Sequence, residues 1–271
     1  MAALFNTHEG LNPGLVDRDV YTEYQSLPLP IGKGVWRWWH WPSEQWHCIK
    51  VRSHKSGRYL LDNECQLLAG IQSRYVPRLI EKVTTPDQTM MVSSYANGPT
   101  LASVIRQQGA GFEGCSQVMM QLVDALVECH RSRIVHCDLK PNNLILSGST
   151  IQLIDFGHSM DIGRDITKLP YRGFSPSYSH PALKDGKTAV TPDFDWYAFF
   201  VVMHVSFYGK LPALNRAPST PLMGVFESMI QRSGLPKLYQ RYLTQQLADL
   251  DLRLSQKLTT KNEADENKHR N

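Results

Sequence analysis

The stretch IVHCDLKPNNLIL, Ile134 to Leu146, constrains the fold most strongly. It starts and ends in apolar residues of the kind that form buried strand. His136, Asp138, Lys140 and Asn143 lie between them. Polar groups so flanked cost free energy unless they are paired or put to use. A second run follows closely: STIQLIDFG carries the apolar IQLI directly into Asp155. SGS between the runs reads as a hairpin turn. If the two strands pair, Asn143 and Asp155 emerge at one rim.

These residue types suit one chemistry. A carboxylate and an amide oxygen are hard donors that fit Mg²⁺, an ion that leaves positions for water and phosphate. Asp138 can orient or deprotonate an attacking hydroxyl. Lys140, two residues on in an extended segment, points to the same side. There it can neutralise charge on a phosphoryl group in transfer. Such a reaction needs positioning and charge stabilisation rather than covalent help from the protein.

The surrounding pattern divides the chain. Residues 1–26 are weakly patterned and read as an N-terminal extension. Within the lobe from residue 27 to 96, alternating apolar and clustered aromatic residues in LPLPIGKGVWRWWHWPSEQWHCIKVRS predict strands, with PSEQ as a hairpin turn, and MMVSSYANG reads as a strand ending in a turn. GRYLLDNECQLLAGI has helical spacing and predicts one amphipathic helix there. Residues 97–255 carry helical patterns: TLASVIRQQ, CSQVMMQLVDALVECHRSR, the apolar WYAFFVVMHVSFYG, LMGVFESMIQRSG and KLYQRYLTQQLADLDLRL. An irregular stretch, 158–191, rich in Ser, Pro and Gly, interrupts them. Loops of that length inside a domain are usually functional or mobile. The charged tail 256–271 reads as disordered. The layout is α+β: a small β-rich lobe with one helix, a larger helical lobe, and a cleft between them, where ligand sites favour domain interfaces.

Bulk properties exclude several classes. The net charge of +4 and the absence of long single-sign runs give no nucleic-acid arm. The apolar run at Trp196 is too short and interrupted for a membrane span, and no signal peptide leads the chain. The five cysteines form no CxxC pair, which fits a reducing cytoplasm rather than a zinc site or disulfide framework. Trp36, Trp38, Trp39, Trp41 and Trp46 sit at strand spacing, which predicts packing with some exposed surface.

HCDLKPNN followed by DFG resembles the catalytic and metal-binding loops of the eukaryotic-like serine/threonine protein kinases. The resemblance runs from about Leu27 to about Leu254. It implies a bilobal protein-kinase-like fold, ATP and Mg²⁺ as cofactors, and transfer of the γ-phosphoryl group to Ser/Thr hydroxyls of protein substrates. Asp138 and Lys140 take catalytic roles and Asn143 and Asp155 hold metal. IGKG resembles the start of the glycine-rich loop over the phosphates, at Gly32 and Gly34. CIKV places Lys50 on the α- and β-phosphates, and NECQLL gives Glu64 as its partner. VSSYANG resembles the hinge: backbone near Ser94 and Ala96 holds adenine, behind a small gatekeeper, Ser93. SPSYSHPA resembles the peptide-docking end of the activation segment, with Thr167, Ser175 and Ser177 as candidate autophosphorylation acceptors. Asp195 is expected to bond catalytic-loop backbone, and His136 to brace that loop.

Three residues depart from the family pattern. Arg37 stands at the third loop glycine, where it could touch phosphate. Cys137 replaces the arginine that usually pairs with a phosphorylated activation segment, and reads as a buried, inert thiol. Ala182 replaces the glutamate that ends that segment. Two other readings are a small-molecule kinase acting on a sugar, aminoglycoside or choline-like alcohol, and a pseudokinase scaffold. Lys140 and SPSYSHPA oppose the first; intact Lys50, Asp138, Asn143 and Asp155 oppose the second.

Overall fold

The alternation predicted for the first strands builds the sheet. In the structure, a computed structural model, residues 23–24, 28–186, 188–213 and 222–268 are described, with side chains through residue 256. The N-terminal extension therefore lies almost wholly outside the described residues. Strands β1 (Leu29–Gly32), β2 (Val35–His40), β3 (Gln45–Arg52), β4 (Leu79–Thr84) and β5 (Thr89–Ser94) form an antiparallel sheet in the order β1-β2-β3-β5-β4. Trp36 pairs with Ile49, Ile49 with Val92, and Val51 with Met90. These residues, with Trp38, form one buried cluster. Successive side chains of a strand face opposite ways. The other face therefore presents Val35, Cys48, Lys50, Met91 and Ser93, which line a cleft.

Helix α1 (Lys55–Gly70) buries Leu61, Cys65 and Leu68. Arg58 ties it to the β4–β5 turn, donating to the carbonyls of Pro86 (2.5 Å) and Thr85 (2.8 Å). Lys82 on β4 pairs with Asp62 on α1 at 2.6 Å. β4 was not anticipated. Its charged Glu81 and Lys82 break an apolar reading, and it lies at a sheet edge, where such residues are common.

The helical lobe begins with α2 (Leu101–Gln108), capped by Thr100, whose hydroxyl accepts from Ser103 N at 3.1 Å, a common way to satisfy a free N–H of the first turn. α3 (Cys115–Arg131) and α5 (Asp193–Tyr208) form its centre. Phe199, Phe200, Val201, Val202 and Met203 are all fully buried on α5. A helix apolar all round belongs in a core, and truncating one such phenylalanine to alanine costs about 3–5 kcal/mol. α6 (Leu222–Arg232) and α7 (Lys237–Lys268) complete the lobe. The backbone of α7 continues helical through Lys268, beyond the boundary at residue 256. Polar composition denies a segment a packed face, but a helix already nucleated upstream propagates cheaply.

Two small ladders position the loops. β7 (Leu144–Ser147) pairs with β8 (Thr150–Leu153), matching Leu144 with Leu153. β6 (Ile134–Val135) pairs with β9 (Met160–Asp161). The segment beyond β9 is irregular up to the short α4 (Pro181–Asp185), as its composition predicts.

Candidate active site

The apolar strands deliver their polar neighbours to one place. Ile154 N donates to Asn143 O at 2.9 Å, joining the two loops. His136 is fully buried and braces both. Its Nε2 donates to Ile154 O at 3.0 Å and its Nδ1 accepts from Asp138 N at 3.3 Å. One neutral tautomer satisfies both bonds. Asp195 holds the loop from below. Its carboxylate accepts from His136 N (2.8 Å), Cys137 N (2.9 Å) and His130 Nε2 (2.9 Å). Burial alone pushes the Asp195 carboxyl up, but those donors and His130 outweigh it and hold it below the usual carboxylate range.

Asp138 is buried and accepts from several donors. Lys140 Nζ lies 2.6 Å from Oδ2, and Asn143 Nδ2 reaches the same oxygen at 3.3 Å. Ser175 Oγ donates to Oδ1 at 2.8 Å and accepts from Lys140 Nζ at 2.9 Å. Named from sequence only as a candidate acceptor, Ser175 is thus joined to both members of the pair. Thr167 and Ser177 are exposed, the former donating to Asp165 at 2.7 Å.

The cleft between the lobes holds about 390 Å³. Lys50 pairs with Glu64 at 2.7 and 2.9 Å and approaches Asp155 Oδ1 at 3.8 Å. Burial pulls the Lys50 ammonium down, but Glu64 and Asp155 outweigh it and leave it above the usual lysine value. Burial pushes the half-exposed Asp155 up, while Lys50, His136 and His158 hold it below the ordinary carboxylate value. Asn143 and Asp155 both line the cleft. With Asn143 Nδ2 committed to Asp138, its oxygen is the atom left for a cation. Two hard oxygen donors beside a phosphate-sized space fit a divalent metal. Among the described residues, no group of three His, Cys, Asp or Glu offers another such site.

Ser94 and Ala96 also line the cleft. Ser94 is fixed by Arg78: its N–H donates to Arg78 O, and its hydroxyl accepts from Arg78 N, both at 2.9 Å. Gly32 also lines the cleft. Gly34 does not face it. With φ of +64°, Gly34 makes the tight β1–β2 turn, and a Cβ there would sit 2.8 Å from Val51 O. Only glycine takes that conformation and approach without strain. Arg37 stands clear of that turn. It lies within β2 opposite Leu29 and Cys48, stacked over Trp46 (4.9 Å) and Tyr95 (5.8 Å), at the hinge end rather than over phosphates. From β3, Arg52 reaches this turn, donating to the carbonyls of Gly34 and Val51 at 2.8 Å, and lines the cleft. Its two-residue spacing from Lys50 on one strand face is the signal that could have found it. Of the tryptophans, Trp36 and Trp38 are buried and Trp41 is exposed.

A five-stranded sheet, a helical lobe and a cleft holding a buried Lys–Glu pair beside the Asp138 and Asp155 loops define the bilobal protein kinase fold. The protein kinase domain family model matches residues 40–260, and the chain belongs to that family. It is similar to the SNF1-like protein kinase ssp2 of Schizosaccharomyces pombe, 29% identical over 64% of this chain and 31% of that protein. The serine/threonine-protein kinase ppk25 of the same yeast is 34% identical over 50% of this chain and 32% of its own length. The carbon catabolite-derepressing protein kinase of Saccharomyces cerevisiae is 27% identical over 60% and 26%. The chain thus spans between 26% and 32% of the length of these relatives.

Proposed function

We propose that this chain is a serine/threonine protein kinase that transfers the γ-phosphoryl group of ATP to a protein hydroxyl. The observation that carries the reading is the seat of Ser175, an aliphatic hydroxyl held between the Asp138 carboxylate and the Lys140 ammonium. A serine or threonine acceptor needs the same two contacts. Its O–H donates to Asp138, which takes the proton as the new P–O bond forms and the bond to ADP breaks. Lys140 offsets the charge on the phosphoryl oxygens. Lys50, fixed by Glu64, takes the α- and β-phosphates, and backbone at Ser94 and Ala96 takes adenine below Gly32. Asn143 and Asp155 would hold Mg²⁺, which supplies charge neutralisation on phosphate oxygens. The lobes divide near residue 96, and the sequence before Leu27 counts as an N-terminal extension. Free cysteines, four of them buried, support a cytoplasmic setting. Among the described residues no helix is long and apolar enough to cross a membrane.

Asp138→Ala tests the reading. Transfer from labelled ATP to a generic protein acceptor should fall by roughly 10²–10⁴, while ATP still binds. Full activity in the variant rejects the assignment. Label on a small alcohol but not on protein would favour a small-molecule kinase, and nucleotide binding without any transfer a pseudokinase.

A further inference from the structure

Helix α1 grips the segment after Asp155 with one face. The Asn63 amide donates from one nitrogen to two carbonyls, Gly157 O at 3.2 Å and Ser159 O at 2.9 Å. Its neighbour Glu64 accepts from Phe156 N at 3.3 Å while holding Lys50. Leu60 lies alongside Gly157. One turn earlier, Tyr59 accepts from Arg164 at 3.3 Å and meets Tyr171 edge-on, centroids 5.6 Å apart. Positions 59, 60, 63 and 64 recur at helical spacing, so these contacts share a face.

The position where the family commonly carries a phosphate-binding arginine contributes nothing comparable. Cys137 is buried among Val135, Met160, Ile166, Leu183, Val190 and Phe194, an apolar cluster that offers no anion a place. We propose that Asn63 is a positioning residue, a latch that keeps α1 on the turn after Asp155. It thereby holds Lys50, Glu64 and Asp155 together while the activation segment is unphosphorylated. This rests on the kinase reading above. The two N–H groups of a primary amide suit the task, since both can serve neighbouring carbonyls at once. An aspartate there has the same shape and no donor.

The test compares the full chain with Asn63→Asp and Asn63→Ala after phosphatase treatment. The native protein should keep its activity. Both variants should lose about 10- to 100-fold in kcat, the scale of a misplaced reacting group, with the protein-substrate KM nearly unchanged. Independently of activity, amide exchange at Phe156 to Ser159 should quicken in both variants while that of α5 stays slow. Native kcat and native exchange in the variants overturn the latch, as does faster exchange throughout α5, which would mean general unfolding. A native protein silenced by phosphatase overturns it too. If the native protein transfers no phosphate at all, the kinase reading fails, and the exchange comparison alone then decides whether Asn63 holds the turn.

Discussion

Glu64→Gln probes the cleft most directly, because it removes one charge and almost no volume. Glu64 is 4% exposed, and its carboxylate takes two hydrogen bonds from Lys50 and one from Phe156 N. The replacement amide can still accept from Phe156, but it turns either one acceptor or a pair of N–H donors toward the ammonium. Breaking a buried ion pair by removing one partner costs ~3–5 kcal/mol. Asp155 remains 3.8 Å from Lys50, so the lower end applies. At about 1.36 kcal/mol per decade, ~3 kcal/mol is about a hundredfold in kcat/KM for ATP, if the pair serves to aim Lys50 at phosphate. The pH dependence has a definite sign. Lys50 is raised in the folded protein. The pair's stabilisation is therefore complete below the ordinary lysine value near ~10.4 and is lost as pH climbs through the folded value. The stability gap between native protein and variant should be flat around neutrality and close only at strongly alkaline pH. Initial rates against ATP, with thermal melts across pH, read both quantities. A variant within about threefold of native kcat/KM would refute the argument that this pair positions the nucleotide.

Asp195→Asn replaces a fully buried acceptor of three hydrogen bonds with a group that adds donors among donors. A loss of ~3 kcal/mol should lower the melting temperature by about 6–12 °C at roughly 2–4 °C per kcal/mol, and calorimetry showing no shift would remove Asp195 as the loop's anchor. Ser93 leaves the inner cleft open toward Leu68 and Met91, so the native protein should use an ATP analogue enlarged at the adenine N6 position. Ser93→Met should reject that analogue by ~10- to 100-fold while still using ATP; equal use of both by the variant would place adenine elsewhere. Burial, aided by Asp195 and Asp138, pushes the Cys137 thiol well above its ordinary value. Iodoacetamide at pH 8 should leave Cys137 unmodified in the folded chain and label it only after unfolding, as mass spectrometry of the peptide would read.

The catalytic loops were legible because their signal is local: polar residues at fixed intervals inside apolar runs have few uses. Lys50 and Glu64 were not legible in that way. They come from a strand and a helix, and only family resemblance joined them before the structure did. Counting along the chain failed at the first turn. Positions counted from Gly32 put Arg37 over the phosphates, yet cross-strand pairing of Val35 with Lys50 sets the register and carries Arg37 into the sheet. Asn63 was invisible for a further reason. A sequence names a donor, but the carbonyls it meets belong to residues 94 and 96 positions away.

The two family substitutions, Cys137 in the catalytic loop and Ala182 near the end of the activation segment, act together. An arginine and a glutamate at those positions would hold the segment by charge. Here both lie in or against the apolar cluster with Met160, Ile166, Leu183 and Phe194. His180 supplies the polar part, its Nδ1 accepting from Ala182 N at 3.0 Å while its ring packs on Phe194 and Tyr197. Ionic strength screens exposed charge pairs but not apolar burial. The segment's anchorage should therefore survive salt that would loosen an ion-paired one. A device that does not depend on charge cannot readily be switched by adding a phosphate beside it. On the latch proposed above, control would act through α1, which touches the sheet, Lys50 and the turn after Asp155 at the same time.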